Sequence, residues 1–366
     1  MQRMNRSAMS LSQIVSRIFA MTLVALSFAA LSGCHRFHLT SQYVYVSCEH
    51  TFLRDRVAPV ANFVTEVTNG QHLRVLDHQT RFYHVQAPNG KIGWIEQYYI
   101  IDQPEMDKFD SLRKRYAHTP AVATALLVEV SYLHDAPGRQ APHYYLLPLN
   151  DKVALLKRAS VIRPLSSLAQ LQLKQSGQAP PPPPREDYWL VRDAEGRTGW
   201  VRASALTPDV PNSIAVLGGS NRMIAGYLLQ SVTDATVNSP DHKVGEYLTV
   251  LSPYQDGLPY DFNQVRVFTW DSYYHHYELA FRARDIEGFF PIQVGSMVLR
   301  GKTLPTFSFR VSLNPKIALD PKTNELNPGP LETVRYQMQG AIVRQVSGPE
   351  QYAVLAKPDE HGKRRK

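Results

Sequence analysis

An internal repeat constrains the fold of this 366-residue chain more than any other feature. The segment 89–95 (NGKIGWI) recurs 106 residues later as 195–201 (EGRTGWV). Further upstream, 51–55 (TFLRD) recurs 80 residues later as 131–135 (SYLHD). The two offsets differ because the second copy contains an insertion of 26 residues. A repeat of this kind predicts two copies of one supersecondary unit, and it narrows the fold before any other evidence is used.

The glycines of each copy have a physical reason. Gly90 and Gly196 follow a strand at a turn position where a positive φ is expected, which only glycine adopts without cost. Three residues later, Gly93 or Gly199 removes a side chain where a small, curved sheet must bend. The tryptophan that follows can then fold over the end of a small core. The repeat therefore predicts two small, strongly bent β units.

This order of parts resembles the bacterial SH3-like domain, a small β-barrel whose last hairpin carries a Gly-x-x-Gly-Trp pattern. The resemblance implies one barrel at 43–102 and a second at 123–207, the latter with a proline-rich insertion at 158–187. We interpret the insertion as a short helix followed by a stiff proline run, 180–184, in a solvated loop. Domains of this family commonly recognise peptidoglycan stem peptides or dock proteins, so the resemblance implies a binding role for the two barrels, and enzymes of the envelope often carry such domains beside a catalytic unit.

The remaining segments complete an all-β prediction. Residues 103–122, between the barrels, are charged and predict a short helix with Phe109, Leu112 and Tyr116 on one face. Residues 211–346 alternate apolar and polar side chains with period two, which is typical of strands with one buried face. The predicted fold class is thus two small SH3-like barrels followed by a larger β sandwich or barrel, after a cleaved leader.

The first 33 residues have the layout of an export signal. They begin with basic residues, contain no acidic residue, and continue into the apolar run 18–31. That run is shorter than the roughly 20 apolar residues of a membrane-spanning helix. Residues 31–34 (Leu-Ser-Gly-Cys) resemble the lipobox of bacterial lipoproteins, in which the leader is removed and the cysteine is acylated. An ordinary secretory signal with a chance cysteine is the alternative.

The lipobox resemblance implies a lipid anchor at Cys34, followed by a tether, 34–42. One acyl chain alone anchors a protein only marginally, so several chains are expected. His35 rather than an aspartate follows the cysteine, which favours the periplasmic face of the outer membrane and leaves the inner membrane open. The formal charge of +8 includes a polar, basic tail, 347–366, which is predicted to be disordered. Nucleic acid is not an expected partner of an exported protein.

Catalytic and metal sites are not expected. Cys48 lies in an alternating stretch that predicts a small buried side chain rather than a nucleophile. Residues 218–220 (Gly-Gly-Ser) lack the second half of a serine-hydrolase elbow. His275 and His276 are adjacent, so on a strand they point to opposite faces and cannot easily chelate one ion. No phosphate loop or dinucleotide motif is present, and we predict no cofactor and no enzyme.

The predicted ligand contacts are aromatic side chains near the two glycine turns. For each of them the alternative is a ring that closes a small core, and we favour that alternative for the two tryptophans after the glycines. The candidates are Tyr83, Trp94, Tyr98 and Tyr99 in the first copy, and Tyr188, Trp189 and Trp200 in the second.

Three functions follow from these observations. The leading hypothesis is a membrane-anchored envelope lipoprotein that binds peptidoglycan or an envelope protein without catalysing a reaction. The second is a cell-wall hydrolase or its regulator, with the active part in residues 211–346. The third is a structural component of the envelope that associates through the edge strands of its C-terminal domain.

Overall fold

The computed structural model of the protein describes residues 43–176, 183–238, 240–312, 318–319 and 326–352. The predicted leader, Cys34 and the tether lie outside the described residues, as do most of the proline run and of the basic tail. Across the described ranges, no helix combines the length and the apolar character needed to cross a membrane.

The first domain is a seven-stranded antiparallel sheet with the strand order β3-β2-β6-β5-β4-β1-β7. Its inward side chains form a small core of aliphatic residues that includes Val44, Leu53, Leu73 and Val85. The strands are β1 (Tyr43–Val46), β2 (His50–Arg54), β3 (Phe63–Thr68), β4 (His72–Gln79), β5 (Phe82–Gln86), β6 (Ile92–Glu96) and β7 (Ile100–Ile101).

The second domain repeats this arrangement strand for strand, in the order β10-β9-β13-β12-β11-β8-β14. The loops that follow the second strand of each copy, 55–62 and 135–142, have equal length and are closed by equivalent backbone hydrogen bonds. The strands are β8 (Ala123–Leu127), β9 (Ser131–His134), β10 (His143–Leu147), β11 (Lys152–Ile162), β12 (Arg185–Arg192), β13 (Thr198–Arg202) and β14 (Leu206–Pro208).

Helix α1 (Gln103–Tyr116) connects the two domains. It begins at the first residue of the predicted segment 103–122, where the Asp102 side chain accepts a hydrogen bond from the backbone N–H of Glu105 and caps the first turn. Phe109 is buried, with its ring 6.1 Å from that of Tyr144 and 5.9 Å from that of Tyr145. The helix is therefore packed against the second domain rather than being a free linker.

The insertion of the second copy differs from the predicted loop. Strands β11 and β12 extend into it and pair from Arg158–Trp189 to Ile162–Arg185. The buried polar side chains of this extension are paired, because Arg185 Nε donates to the Ser160 hydroxyl and Arg158 Nη1 donates to the Asp187 carboxylate. Helix α2 (Ser167–Ser176) follows within the insertion.

The C-terminal residues form two four-stranded antiparallel sheets, β15-β16-β17-β18 and β19-β20-β23-β24. The short helix α3 (Asn212–Ala215) precedes them. Strands β21 (Ala318–Leu319) and β22 (Leu326–Asn327) form a separate pair. The sheet strands are β15 (Asn221–Thr233), β16 (Lys243–Pro253), β17 (Gln264–Asp271), β18 (His276–Ala283), β19 (Gly288–Leu299), β20 (Lys302–Ser312), β23 (Leu331–Gln339) and β24 (Ile342–Ser347).

Aromatic rings from both C-terminal sheets meet in one core. The ring of Phe281, on the first sheet, lies 6.2 Å from that of Phe307 and 5.1 Å from that of Tyr336, both on the second sheet. All three side chains are almost completely buried. The two sheets therefore pack face to face as a sandwich, and the predicted all-β fold class is confirmed.

A buried ion network joins the second domain to the sandwich. Arg158 Nη1 donates to Asp187 Oδ2 at 3.0 Å, and its Nε lies 3.3 Å from Asp261 Oδ1. Its Nη2 donates to the backbone carbonyls of Leu258 and Tyr260, both at 2.7 Å. One arginine thus ties β11 to β12 and to a loop of the sandwich across the domain junction.

Candidate ligand groove

A groove of about 390 Å³ lies on the first domain between loop 55–62 and the hairpin of β5 and β6. Its volume is within the range of small-ligand sites, roughly 300–1,000 Å³. Five aromatic rings and three arginines stand out in its lining: Phe52, Phe63, Phe82, Trp94, Tyr99, Arg54, Arg56 and Arg81.

Gly93 positions the tryptophan of this groove. A Cβ at this residue would lie 2.9 Å from both the Leu53 Cβ and the Arg54 carbonyl oxygen, so only glycine lets β6 approach β2 this closely. The close approach pairs Trp94 with Arg54 across the two strands. The indole then stacks on the His84 ring, with centroids 4.6 Å apart and planes at 22°. Trp94 is half-buried on the outer side of the sheet and does not fill its core.

The second copy uses its glycines in the same way. A Cβ at Gly199 would lie 2.7 Å from the Leu133 Cβ and 2.9 Å from the His134 carbonyl oxygen. Gly90 and Gly196 have φ angles of +82° and +79°, which confirms the predicted positive-φ turn in both copies. The Gly-x-x-Gly-Trp pattern is therefore a turn, a close strand approach and an outward ring, in that order.

Loop 55–62 forms one wall of the groove and is held closed at its base. Asn62 donates from its backbone N–H and from its side-chain amide to the two carboxylate oxygens of Asp55, each at 2.9 Å. These hydrogen bonds hold the pKa of the Asp55 carboxyl below its usual value. Next to the loop, the Phe52 and Phe63 rings pack at 4.8 Å. The wall is thus formed before any ligand arrives.

The arginines give the groove an excess of positive charge. The Arg81 Nε lies 3.5 Å from Glu96 Oε1, and the Arg56 Nε lies 3.6 Å from Asp55 Oδ1. Exposed ion pairs at such distances contribute little and leave the cations available. Within the described ranges, Arg54 forms no ion pair with a carboxylate. The groove can therefore accept an anionic group together with an apolar or planar one.

The four first-copy candidates occupy three different environments. Trp94 and Tyr99 line the groove. Tyr98 is 80% exposed, with its ring beside that of Tyr99 but outside the lining. Tyr83 packs partly against the core of the first domain, and its ring lies 4.4 Å from that of His78. The structure thus brings two of the four together.

Two second-copy candidates lie beneath the connecting helix. Tyr188 is 1% exposed and Trp200 is 7% exposed. Both belong to a small buried cluster against which Leu112 and Tyr116 of α1 pack. The face that carries an open tryptophan in the first domain is therefore covered in the second, and these two rings are not available to a ligand from solution.

The remaining candidate of the second copy, Trp189, is covered by other parts of the protein. Trp189 is 5% exposed, with its ring 5.6 Å from that of Phe290 in the sandwich. Nearby on β12, the buried Glu186 accepts from Arg139 Nε and Nη2 at 2.7–3.1 Å and from the Tyr188 hydroxyl at 3.0 Å. Arg139 lies in loop 135–142, so this ion pair fastens the loop that corresponds to the open wall of the first domain.

Sequence reasoning omitted several groove residues: Phe52, Phe63, Phe82, Arg54 and Arg81. The sequence did contain evidence for two of these residues. Phe52 and Arg54 flank Leu53, and alternation along a strand places both on the face opposite that buried residue. Their closeness to Trp94 depends on the approach of two strands that are distant in sequence.

The residues weighed for catalysis lie in unfavourable surroundings. Cys48 is half-buried, and burial raises the pKa of its thiol, so the reactive thiolate is disfavoured. Gly219, at φ +67°, forms a turn just before β15. Over the described ranges, no three His, Cys, Asp or Glu side chains are placed to hold a metal ion.

His275 takes part in a hydrogen-bonded cluster around Asp234. The buried carboxylate accepts from the Thr236 hydroxyl at 2.6 Å, from Trp270 Nε1 at 2.8 Å and from His275 Nδ1 at 3.0 Å. These hydrogen bonds, with that of the Thr236 hydroxyl first, hold the pKa of Asp234 well below its usual value. The cluster joins the loop after β15 to the β17–β18 turn.

Asp234→Asn should lower the free energy of unfolding at pH 7. It should also make this free energy decrease less as the pH is lowered. A carboxyl whose folded pKa is depressed stabilises the fold above its unfolded pKa of about 4, and this contribution disappears as the pH falls towards the folded value. Urea midpoints at pH 7, 5 and 3 measure the effect. The exposed Glu332→Gln serves as the control and should keep the wild-type pH profile. An unchanged profile in Asp234→Asn would show that the cluster does not stabilise the fold.

Comparisons with known proteins match two segments of the chain. The family described as bacterial SH3 domain matches residues 51–101, and the family described as GW (Gly-Tryp) dipeptide domain matches residues 139–207. Both kinds of domain are associated with peptidoglycan binding. No curated protein matches the chain at a significant level.

Among solved structures, NlpC2 from Trichomonas vaginalis matches with 10% identity over 56% of this chain and 62% of its own, at a TM-score of 0.15. An NlpC/P60 family protein from Bacillus cereus matches with 11% identity over 48% of this chain and 61% of its own, at a TM-score of 0.21. The chain thus spans about three-fifths of each of these two structures. TM-scores this low do not establish a shared fold. Two segments of the chain are thus similar to a bacterial SH3 domain and to a GW domain.

Proposed function

We propose that this protein is a non-catalytic binding module of the cell envelope and that the groove of its first domain binds peptidoglycan. The observation that carries the proposal is the difference between the two copies. The first keeps an open groove of rings and arginines around Trp94, whereas the corresponding face of the second is covered by α1. Of these two faces, the described part of the chain covers one and leaves the other open to a ligand.

The chemistry of the groove suits wall fragments. Stem peptides carry free carboxylates, which arginine binds through charge-assisted and often bidentate hydrogen bonds. Their methyl groups and the faces of the sugar rings can pack on the aromatic walls. Arg54 and Arg81 would contact a carboxylate, while Trp94 and Tyr99 would contact the apolar part of the ligand. Because the cations are exposed, we expect binding to weaken as ionic strength rises.

Trp94→Ala should reduce binding to purified peptidoglycan by about tenfold or more, because truncating a central aromatic contact removes most of the contact energy. A co-sedimentation assay with residues 43–366 measures the bound fraction across protein concentrations. Arg81→Gln should weaken binding less and should remove part of its salt dependence.

Tyr98→Ala is the matched control, since Tyr98 is an exposed ring of the same segment that lies outside the groove. Its binding should stay within about twofold of the wild type, the range of a near-neutral contact. Equal binding by wild type and Trp94→Ala would contradict the proposal, as would sedimentation no greater than that of an unrelated lipoprotein.

The second element of the proposal is the location. We propose that acyl chains on Cys34 hold the protein to a membrane, on the basis of its lipobox-like sequence. Intact mass spectrometry of the protein purified from membranes tests this directly. The expected result is a chain that begins at Cys34 and carries the mass of several acyl groups. An unmodified thiol on an uncleaved chain would contradict it.

A further inference from the structure

Strand β19 presents an open edge of the C-terminal sandwich. It stands at the end of the order β19-β20-β23-β24, so β20 is its one hydrogen-bonded neighbour among the described strands. From Gln293 to Leu299 the pairing with β20 is regular, without the shift in register that occurs nearer the start of the strand. Every second residue of this stretch therefore directs its backbone N–H and C=O groups outward, away from β20.

This edge lacks the features that keep edges from pairing. Soluble proteins usually protect an edge strand with charged side chains, prolines, bulges or a covering segment. Residues 293–299 (QVGSMVL) contain no charged residue and no proline. Their apolar side chains are exposed, by 71% for Val298, 38% for Leu299 and 37% for Val294. An open edge of this composition favours pairing with another strand.

The other three edge strands of the sandwich are protected. Strand β18 contains Glu278 and Arg282, and β24 is six residues long and contains Arg344. Strand β15 is interrupted by two shifts of register in its pairing with β16. The exposed, uncharged edge is therefore a property of β19 and not of the sandwich as a whole.

A groove of about 330 Å³ lies beside this edge, and Gly295 and Met297 are both in its lining. A Cβ at Gly295 would meet only the Thr306 hydroxyl oxygen, at 3.6 Å, so the glycine leaves the surface of the sheet open there. Met297, two residues further on, lies on the same face of the strand and has a long, flexible side chain. One strand thus carries both an open space and a side chain of a shape that can fill it.

These features fit a second copy of the same strand. Antiparallel pairing about a two-fold axis at Ser296 brings Gly295 of each copy opposite Met297 of the other. The same register brings Val294 of each copy opposite Val298 of the other, on the opposite face of the sheet. No charged side chains oppose each other in this register, because 293–299 contains none. The edge is therefore complementary to itself.

We propose that the protein forms a two-fold symmetric dimer in which residues 293–299 of two copies pair and join their four-stranded sheets into one continuous sheet. Each Met297 packs over Gly295 of the other copy. The paired segment is short, so the interface is at the small end of specific interfaces and the dimer depends on protein concentration. This contact is independent of the first-domain groove and of peptidoglycan binding there.

Sedimentation equilibrium of residues 43–366 between about 5 and 500 µM tests the proposal, since small interfaces associate in this range. The average mass should rise from that of one chain towards twice that value. Val298→Lys should keep the mass at one chain throughout, because the two-fold axis places a new charge against Val294 twice. Val298 is mostly exposed, so this variant should keep the wild-type thermal unfolding midpoint.

Ile342→Lys is the matched control, because Ile342 is 56% exposed on β24, at the other edge of the same sheet. This variant should dimerise like the wild type. Trp94→Ala should also dimerise like the wild type, so failure of the groove proposal and failure of this one give different results.

Crosslinking tests the register. In a Cys48→Ser background, which leaves no other cysteine in residues 43–366, Ser296→Cys places the two new thiols opposite each other at the axis. A short bis-maleimide should then convert the protein to a covalent dimer on a denaturing gel. Ser347→Cys, an exposed position on β24, should remain a single chain under the same conditions.

Three outcomes would overturn the proposal. A wild-type mass that stays at one chain over the whole range would leave the edge to a strand of a different protein. Equal dimerisation of wild type and Val298→Lys, or equal crosslinking of the two cysteine variants, would place the contact on another surface. Large aggregates without a dimer would show that the edge pairs without a defined register.

Discussion

Arg158→Met is expected to lower the free energy of unfolding by about 3–5 kcal/mol, the largest loss from any single charge in the described part of the chain. The substitution would leave the Asp187 and Asp261 carboxylates buried without their shared cation. Burial already raises the pKa of Asp261, and the Arg158 guanidinium opposes that rise. Removing the cation would therefore force Asp261 towards its protonated form, and two backbone carbonyls would lose their donor.

Urea unfolding of residues 43–366 at pH 7 measures this effect. Arg344→Met, which shortens an exposed arginine, should change the free energy of unfolding by less than about 0.5 kcal/mol. Arg158 contacts both the second domain and the sandwich. If these two parts separate before either of them unfolds, we expect Arg158→Met to unfold in two steps. A loss below about 1 kcal/mol would show that the network does not hold the two domains together.

Gly199→Ala is expected to be almost as damaging, with a loss of about 3 kcal/mol or more. The new methyl group would lie 2.7 Å from the Leu133 Cβ and 2.9 Å from a backbone oxygen, so strands β9 and β13 would have to separate. Backbone atoms cannot move aside for the methyl group as the end of a flexible side chain can. Gly93→Ala should behave similarly in the first domain and, because it displaces Trp94, should also weaken peptidoglycan binding.

Gly218→Ala is the matched control, because a Cβ there meets nothing within 4 Å and its backbone is not left-handed. Gly90→Ala tests the glycines that are needed for a positive φ. An alanine in that conformation should lower the free energy of unfolding by roughly 1 kcal/mol. Thermal unfolding monitored by circular dichroism would rank the four variants. Equal stability of Gly199→Ala and Gly218→Ala would contradict the close-approach explanation.

The repeat explains why so much of the fold could be predicted. A turn with a positive φ and a close approach of two strands that leaves no room for a side chain both require glycine. The pattern at 90–94 and 196–200 can therefore be recognised in the sequence. The period-two alternation over 211–346 likewise predicted strands, and β17 and β18 lie within that range. These features are local, and short-range sterics and burial decide them.

The site was predicted only in part, for an equally physical reason. Trp94 was among the predicted contacts, but the favoured interpretation, a ring that closes the core, was wrong, because Gly93 lets β6 approach β2 and the ring lies in the groove outside the core. Trp200 has the same local sequence but lies under Leu112 and Tyr116 of a helix that is distant along the chain. Two tryptophans with equal local signals thus have different exposure, and no local pattern distinguishes them.

The amino-acid sequence by itself determined the two glycine turns and the alternation that produces the strands, since each depends on neighbouring residues. Only the tertiary structure decided which tryptophan stays open and how Arg158 comes to contact both the second domain and the sandwich. Those outcomes depend on which distant surfaces bury each other. That choice is made by the packing of whole domains, because burial of apolar area and pairing of charge act between residues far apart in sequence.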